Sequence, residues 1–330
     1  MSLAETVRRP TVSFAQRFER LAPLALLVVA VAIYAAIALG SGQPQYMSFD
    51  GVVGVANRSI ALGITAVGQT FVILLGSIDI SVANLISAAA VLASVIMNGN
   101  PAMIVPAIAA VLVLGFVVGL ANGLVIARLE VNPLIATLGM SLIVQGALSA
   151  FISNFAGAVP DAFQYFAYGT VGPLPFSLLF YAVLVLLAWV VLRFTKFGSD
   201  IYSVGGNVDA ARLAGIHTNR IIIRAHIVCS MLAAVAGLYL ASRLKSGAPW
   251  IGKDGVYDLE SIAVTVIGGT ILAGGRGGIW GTVAGVLIFS LIDAIFNLTG
   301  TDAFLKQVLR GVIIVAAVAF YAVRSKRIVA

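Results

Sequence analysis

Long apolar runs separated by short polar connections limit what this chain can fold into. The runs lie at about residues 22–40, 52–76, 80–97, 102–127, 133–153, 176–193, 221–243, 258–273, 279–298 and 304–323. A helix needs about 20 mostly apolar residues to cross the hydrocarbon core of a membrane. Backbone groups inside lipid must be hydrogen-bonded within the segment itself. The pattern therefore predicts an all-α, polytopic membrane protein with about ten transmembrane helices.

Composition agrees with that prediction and excludes a water-soluble fold. Of the 330 residues, 61% are hydrophobic and only 10% are charged, whereas a soluble domain carries roughly 25% charged residues. So few charges cannot cover a water-facing surface. The apolar runs also leave no room for a separate soluble catalytic domain.

The basic residues predict the orientation of the chain. The net charge is +7, and most of the lysines and arginines fall in alternate connections, as the positive-inside rule requires. With ten helices both termini are cytoplasmic. We expect a cytoplasmic N-terminal segment at 1–21, a single transmembrane domain at 22–323 and a cytoplasmic tail at 324–330. No basic stripe with interleaved aromatic residues indicates nucleic-acid binding.

Three connections are longer than a turn. Residues 154–175 and 244–257 fall outside the cell in this topology, while 194–220 is cytoplasmic and is the most polar stretch of the chain. Small residues four positions apart, such as Gly115 and Gly119, or Gly277, Gly281 and Gly285, are typical of closely packed membrane helices. Cys229 is the only cysteine, and we expect it to be a small buried side chain.

The sequence lacks the patterns of an enzyme. A P-loop motif for nucleotide binding is missing. His217 and His226 are the only histidines, and they have neither the spacing nor the acidic neighbours of a metal site. With only two histidines, the sequence also gives no basis for proposing a catalytic Ser/His/Asp set. The energy for any active process that involves this chain must then come from another chain or from an ion gradient.

The cytoplasmic connection at 194–220 predicts a short helix outside the membrane. Asn207 is suited to cap its start, and Gly215 to end it. A helix of about two turns is marginal in water and needs a surface to pack on. One interpretation is a passive connector lying on its own bundle. The other is a coupling helix whose small face, Ala210, Ala211 and Ala214, enters a groove on a cytoplasmic ATPase.

This segment carries a resemblance to a known family. Gly205 to Ile216 resembles the EAA-type loop of the ribose/xylose-type permeases of bacterial ABC importers, whose usual form is Gly-Gly-Asn-x-x-Ala-Ala-Arg-x-x-Gly-Ile. Three further stretches resemble the same family in the same order. They are Gly76-Ser-Ile-Asp-Ile-Ser-Val82, Asn132-Pro-Leu-Ile-Ala-Thr-Leu-Gly139, and Tyr257-Asp-Leu-Glu-Ser-Ile-Ala263 followed by Gly274-Gly-Arg-Gly-Gly-Ile-Trp-Gly281.

The resemblance implies a function and a set of partners. The chain would be the pore-forming permease subunit of an importer for a sugar or sugar-like solute, with the type II-like ABC importer permease fold, in a bacterial inner membrane. Partners would be a second permease subunit, identical or homologous, ATPase subunits that bind ATP and Mg, a periplasmic solute-binding protein and membrane lipid. This chain would hold no cofactor and no metal. The residues implied in ATPase coupling are Gly205, Gly206, Asn207, Ala210, Ala211, Arg212, Leu213, Gly215 and Ile216.

Polar residues in or beside the apolar runs are candidates for a gate or for the pore lining. They are Asp79, Arg276, Gln69, Asn57, Asn122 and Asp293. The alternatives are a helix-start role for Asp79, acting on Ser81, and hydrogen bonds between helices for the amides. We expect Asp79 and Arg276 to approach each other near the inner surface. Asn84, where the family often has a small residue, and Asp293, where it commonly has Asn, depart from the family pattern.

Two other transport functions stay open at this point. A permease for branched-chain amino acids has a related architecture, although the Gly-x-Ile-Asp and Ala-Ala-Arg motifs favour the sugar type. A secondary transporter would show broken helices and buried ionisable residues near the membrane midplane.

Overall fold

The computed structural model describes the backbone of residues 14–329 and the side chains of residues 22–316 and 319. This part of the chain is mostly helical. Its α-helices are α1 (Phe14–Gly40), α2 (Phe49–Arg58), α3 (Ile60–Ile73), α4 (Val82–Met97), α5 (Ile104–Arg128), α6 (Pro133–Phe151), α7 (Asp161–Tyr168), α8 (Phe176–Phe194), α9 (Lys196–Gly206), α10 (Val208–Leu213), α11 (Thr218–Leu244), α12 (Ile251–Asp254), α13 (Tyr257–Ile267), α14 (Ile279–Leu298) and α15 (Ala303–Val329). Short 3₁₀ helices lie at Pro44–Met47 and Pro101–Met103, and strands β1 (Thr170–Val171) and β2 (Leu174–Pro175) form one antiparallel hairpin.

Among the described residues, six helices are long and apolar enough to cross a membrane, and a bent pair could supply a seventh. The six are Ala22–Gly40, Pro101–Arg128, Pro133–Phe151, Phe176–Phe194, Thr218–Leu244 and Ile279–Leu298. The pair is α2 with α3, which meet at 50°. The predicted count of ten is thus not confirmed.

The difference has a physical cause. The apolar runs at 52–76, 80–97 and 258–273 contain stretches where the helix stops, so α3, α4 and α13 have only 14, 16 and 11 residues. Two segments of irregular backbone follow α3 and α13, at 74–81 and 268–278. Most of their residues are buried or partly buried in the protein. Irregular backbone at membrane depth is tolerated only in such an environment.

Helix α11 lies at the centre of the bundle and packs closely against α5. Modelling a Cβ atom on Gly119 would bring it within 2.6 Å of the Ile227 Cα, and a Cβ on Gly115 would lie 2.8 Å from that of Ala234. A Cβ on Gly123 would likewise lie 2.6 Å from the Ile223 Cα. The expected packing role of Gly115 and Gly119 is confirmed, and so is the burial of Cys229, which is 0% exposed on α11.

The second set of small residues joins α13 to α14. A Cβ on Gly281 would lie 1.9 Å from the Gly268 carbonyl oxygen, and one on Gly285 would lie 2.0 Å from that of Val264. These two backbones therefore touch directly. Gly277 differs from the expected packing role: it lies in the irregular segment before α14, with φ +137°, beside Thr270.

Connections predicted on the same side of the membrane contact each other. Ala156 and Gly247 form an isolated antiparallel bridge between the two connections expected outside. The Tyr168 hydroxyl donates to the Arg243 carbonyl at 2.6 Å. At the other end, Gly205 of the 194–220 connection touches Leu74 and Gly275.

The predicted domain boundaries stay predictions. Residues 1–13 of the expected N-terminal segment lie outside the described residues. Residues 324–329 continue α15 as helix instead of forming a separate tail, and Ala330 is outside the described residues.

The α5–α11 contact generates a test with a matched control. Gly119→Ala should destabilise the protein by about 1–3 kcal/mol, because the new methyl group forces two backbones apart. Gly139→Ala on α6 meets nothing within 4 Å, so it should be neutral or slightly stabilising, since alanine favours helix. Unfolding in mixed detergent micelles measures both variants. A Gly119→Ala protein as stable as the wild type would contradict the packing described.

Candidate functional site

The segment after α8 folds into two short helices outside the six candidate spans. The side chain of Asn207 accepts a hydrogen bond from the Ala210 backbone amide at 2.9 Å, so Asn207 caps α10 as predicted. Gly215 has φ +83° and ends the helical stretch, also as predicted. Ile216 then donates its backbone amide to the Ala211 carbonyl at 3.0 Å. The predicted helix is present, with α10 spanning Val208–Leu213.

The outward face of α10 differs from the expected one. Ala211 is only 4% exposed and belongs to the chain's own hydrophobic core, so it cannot form part of a docking face. Ala210 and Ala214 are exposed, as predicted, and Arg212 is exposed as well. Leu213 is 91% exposed, which leaves a large apolar side chain without cover at the tip of the loop.

Gly205 and Gly206 are the last two residues of α9. Neither has a positive φ. A Cβ on Gly205 would lie 1.8 Å from the Leu74 carbonyl oxygen and 2.7 Å from the Gly275 amide nitrogen, whereas one on Gly206 would meet nothing within 4 Å. The Gly275 amide itself donates to the Leu74 carbonyl at 2.9 Å. The lack of a side chain at Gly205 therefore permits close contact between three segments.

This contact brings together residues in or next to three of the four family motifs. Gly205 starts the Gly-Gly-Asn motif, Gly275 lies in the Gly-Gly-Arg segment, and Leu74 precedes the Gly-Ser-Ile-Asp motif. The hydroxyl of Tyr202 on α9 also donates to the Gly277 carbonyl at 3.0 Å. Movement of α9 would thus be passed directly to both irregular segments, 74–81 and 268–278.

Asp79 is the centre of a buried polar cluster. Its side chain is fully buried. Its Oδ1 accepts from the backbone amide of Ser81 at 2.9 Å and from the Ser81 hydroxyl at 2.6 Å, which confirms the helix-start alternative. Asn122 on α5 donates to the Ser81 hydroxyl at 2.9 Å and lies 3.4 Å from Asp79 Oδ2. The cluster ties the irregular segment to the bundle.

His226 on α11 completes this cluster. Its Nε2 lies 2.9 Å from the Ser77 hydroxyl, and its Nδ1 lies 3.6 Å from Asp79 Oδ2. Serine, histidine and aspartate thus occur in the order of a catalytic triad, a set for which the sequence gave no basis. All three side chains are buried, however, with Ser77 only 5% exposed. A nucleophile needs access to its substrate, so this chain of contacts is best explained as support for the backbone of 74–81.

Two of the remaining amide candidates also connect separate parts of the bundle. With its nitrogen toward the Asp79 carbonyl at 3.3 Å and its oxygen toward the Asp79 amide at 3.2 Å, the Gln69 side chain pairs both backbone groups. Asn57 accepts from the Ser177 hydroxyl at 2.7 Å and so joins α2 to α8. Asn84, the departure from the family pattern, donates to Ser141 on α6 at 2.8 Å.

The expected ion pair between Asp79 and Arg276 is wrong. Asp79 is buried among Ser81, Asn122 and His226. Arg276 is exposed and lies on the wall of a large cavity. The aspartate faces inward because the turn before α4 uses its carboxylate for the Ser81 backbone amide.

Asp293 belongs to a second polar group on three helices. Arg310 on α15 forms ion pairs with Asp293 on α14 and with Glu260 on α13, the latter at 3.3 Å. Asn297 donates to the other Asp293 oxygen at 3.3 Å and accepts from Lys306 at 2.7 Å. The acid that departs from the family pattern thus has a basic partner within the chain.

The structure therefore brings together three of the six gate or pore candidates, Gln69, Asp79 and Asn122, and places the other three elsewhere. Sequence reasoning missed His226, Ser77 and Glu260 as partners. A histidine inside an otherwise apolar run was a usable signal for His226. Within the described residues, no three His, Cys, Asp or Glu side chains converge as a metal site would require.

The Asp79 cluster can be tested by stability. Asp79→Asn should lower the free energy of unfolding by about 3 kcal/mol, because it removes a buried acceptor and leaves His226 without its acid. The control is Asp209→Asn on the exposed surface of α10, which should stay within about 0.5 kcal/mol of wild type. Normal stability together with lost transport in Asp79→Asn would instead indicate that Asp79 contacts the solute.

Comparison of the sequence with known proteins places this chain in a family. A sequence model described as "Branched-chain amino acid transport system / permease component" matches residues 51–318. The ribose import permease of Escherichia coli (strain K12) is 33% identical over 300 residues, which cover 89% of this chain and 91% of that protein.

Two further relatives have names that refer to other sugars. The galactose/methyl galactoside import permease of Salmonella typhimurium (strain LT2) is 32% identical over 305 residues, covering 86% of this chain and 90% of the relative. The L-arabinose transport system permease of Escherichia coli (strain K12) is 34% identical over 317 residues, covering 95% and 93%. No solved structure matches this chain. The chain belongs to the permease-component family of these transport systems.

Proposed function

We propose that this chain is the pore-forming permease subunit of an ABC importer for a sugar, fed by a periplasmic solute-binding protein and driven by separate ATPase subunits that bind ATP and Mg. The observation that carries the proposal is the exposed α9–α10 unit, whose inner side touches both irregular segments of the bundle. Relatives that import ribose, galactose and arabinose support the solute class. A branched-chain amino acid as the solute has less support, because these named relatives are sugar permeases.

The finer parts of the proposal concern the membrane arrangement. About ten helices in the type II-like importer fold, both termini in the cytoplasm and the inner membrane as location fit the distribution of Lys and Arg. The shorter helices α3, α4 and α13, together with the 27-residue helix α15, would then supply the crossings beyond the six candidate spans. A second permease subunit, identical or homologous, would complete the pore.

The exposed fraction of each candidate side chain narrows the choice of pore-lining residues. Gln69, Asp79 and Asn122 are at most 1% exposed, which favours a structural role for each. Asp293 and Arg276 retain exposed surface, so they remain the better candidates for contact with solute or with a partner subunit.

The docking face of α10 supports a specific contact with the ATPase. Leu213 is an apolar side chain exposed at the tip of a polar loop. A few side chains at the centre of an interface contribute most to protein association, and an aliphatic anchor that fills a pocket can be one of them. Asn207, Ala210, Arg212, Gly215 and Ile216 shape or flank this face. Ala211 instead holds α10 against its own bundle.

Leu213→Ser tests both the function and the docking face. It should weaken binding of the ATPase subunit roughly tenfold, the effect of losing about 1.4 kcal/mol, and it should lower ATP-dependent sugar uptake in reconstituted vesicles to match. Leu129→Ser is the control, because Leu129 is 70% exposed at the end of α5 and should change neither. Wild-type uptake driven by an ion gradient without ATP would contradict the importer function. Unchanged ATPase binding in Leu213→Ser would contradict only the docking face.

Gly205→Ala separates docking from transmission. Its methyl group would collide with the Leu74 carbonyl, so the contact between α9 and the irregular segments should be lost while the ATPase still binds. We expect sugar-stimulated ATP hydrolysis to fall at least about tenfold. Gly206→Ala, with open space around the new methyl group, should behave as wild type. Equal hydrolysis in the two variants would show that α9 does not transmit movement through this contact.

A further inference from the structure

A cavity of about 1160 Å³ lies at the end of the bundle that carries α9 and α10. Its walls come from α1, α8, α9, the start of α14 and the irregular segment before α14. Neither Leu213 of the proposed docking face nor the Asp79 cluster lines it. The lining contains both charged and apolar side chains, and this combination identifies the class of its occupant.

The charged side chains that line the cavity are positive. They are Arg193 and Arg276, and none of the described residues that line the cavity is an Asp or Glu. Within the described part of the chain, neither arginine forms an ion pair with a carboxylate. Burial raises the pKa of the Tyr202 hydroxyl on the cavity wall, and the charge of Arg193 opposes that rise. The charge of Arg193 therefore reaches the Tyr202 hydroxyl on the cavity wall.

The apolar side continues onto the surface of the membrane helices. Leu24 of α1 lines the cavity and is still 54% exposed, and Trp280 of α14 lines it and is 57% exposed. The rings of Trp189 and Trp280 lie 6.2 Å apart. Tryptophan is typical of the interface between headgroups and hydrocarbon. An occupant with a charged head and apolar chains would satisfy both sides at once.

We propose that this cavity binds one anionic phospholipid, with its phosphate at Arg193 and Arg276 and its acyl chains along the apolar wall of α1 and α14. Arginine suits phosphate because its planar guanidinium donates two parallel hydrogen bonds. Basic pockets between membrane helices bind acidic headgroups for the same reason. In the proposed topology this lipid belongs to the inner leaflet. That assignment rests on the proposed function, whereas the binding itself does not.

The site also touches the α9 contact described above. Tyr202 lines the cavity and donates to Gly277, which lines it as well. A lipid bound here would stabilise α9 against the segment before α14. Bound lipid should thus hold the α9–α10 unit in the position seen in this structure.

The test titrates the delipidated full chain, purified in detergent without ATPase, with phosphatidylglycerol and follows bound lipid by native mass spectrometry. Arg193→Gln and Arg276→Gln should each weaken binding about fivefold, and the double variant about 25-fold, since each arginine near a charged headgroup makes a similar contribution. The control is Arg128→Gln, an exposed arginine at the end of α5 outside the cavity. It should bind as wild type does.

Further arms identify what is bound. Phosphatidylcholine with the same chains should bind the wild type no better than phosphatidylglycerol binds the double variant, and glycerol 3-phosphate should not compete at equal concentration. Competition by glycerol 3-phosphate would mean that the site takes a free phosphate compound and would overturn the lipid assignment. Equal weakening by Arg128→Gln would reduce the binding to general surface attraction and overturn the site. Thermal unfolding without lipid should be the same for all variants, so that a loss of binding reports the site itself.

Discussion

Every backbone polar group that enters a bilayer must find a hydrogen-bond partner inside the protein, and the rest of this structure depends on that constraint. It explains why the chain is mostly helical. It also explains why the two irregular segments, 74–81 and 268–278, are held by so many polar contacts. In the first of them, Asp79 accepts from Ser81 and Gln69 pairs with the backbone of Asp79.

Close backbone contacts turn these two segments into one unit with α9. The Gly275 amide donates to the Leu74 carbonyl, and Gly205 lies against both. Packed backbones are stiff and do not deform gradually. A short helix that is exposed on one side and fixed on the other can thus pass movement into the bundle. This arrangement supports the proposed coupling role without requiring a nucleotide site in the chain.

The buried Ser77, His226 and Asp79 show why geometry alone does not identify function. Their order matches a catalytic triad, yet their burial leaves no place for a substrate. The same side chains do have a structural use, because a polar group left unpaired in the interior would be costly. Membership of a transport permease family agrees with the structural explanation.

Sequence by itself determined the elements that depend on local chemistry. Apolar length predicted the membrane helices, Asn207 and Gly215 predicted the bounds of a short helix, and paired small residues predicted close packing. The number of membrane crossings is not confirmed, because hydropathy cannot show where a buried apolar run stops being helical, as it does after Ile73 and Ile267.

Only the tertiary structure decided which residues meet. It buried Ala211 and exposed Leu213, although both belong to the same short helix. It separated Asp79 from Arg276 and paired Asp79 with His226, which is 147 residues away in sequence. The physical reason is that a side chain's partner depends on which helix faces it, and packing of distant helices is not encoded in the local pattern of the chain.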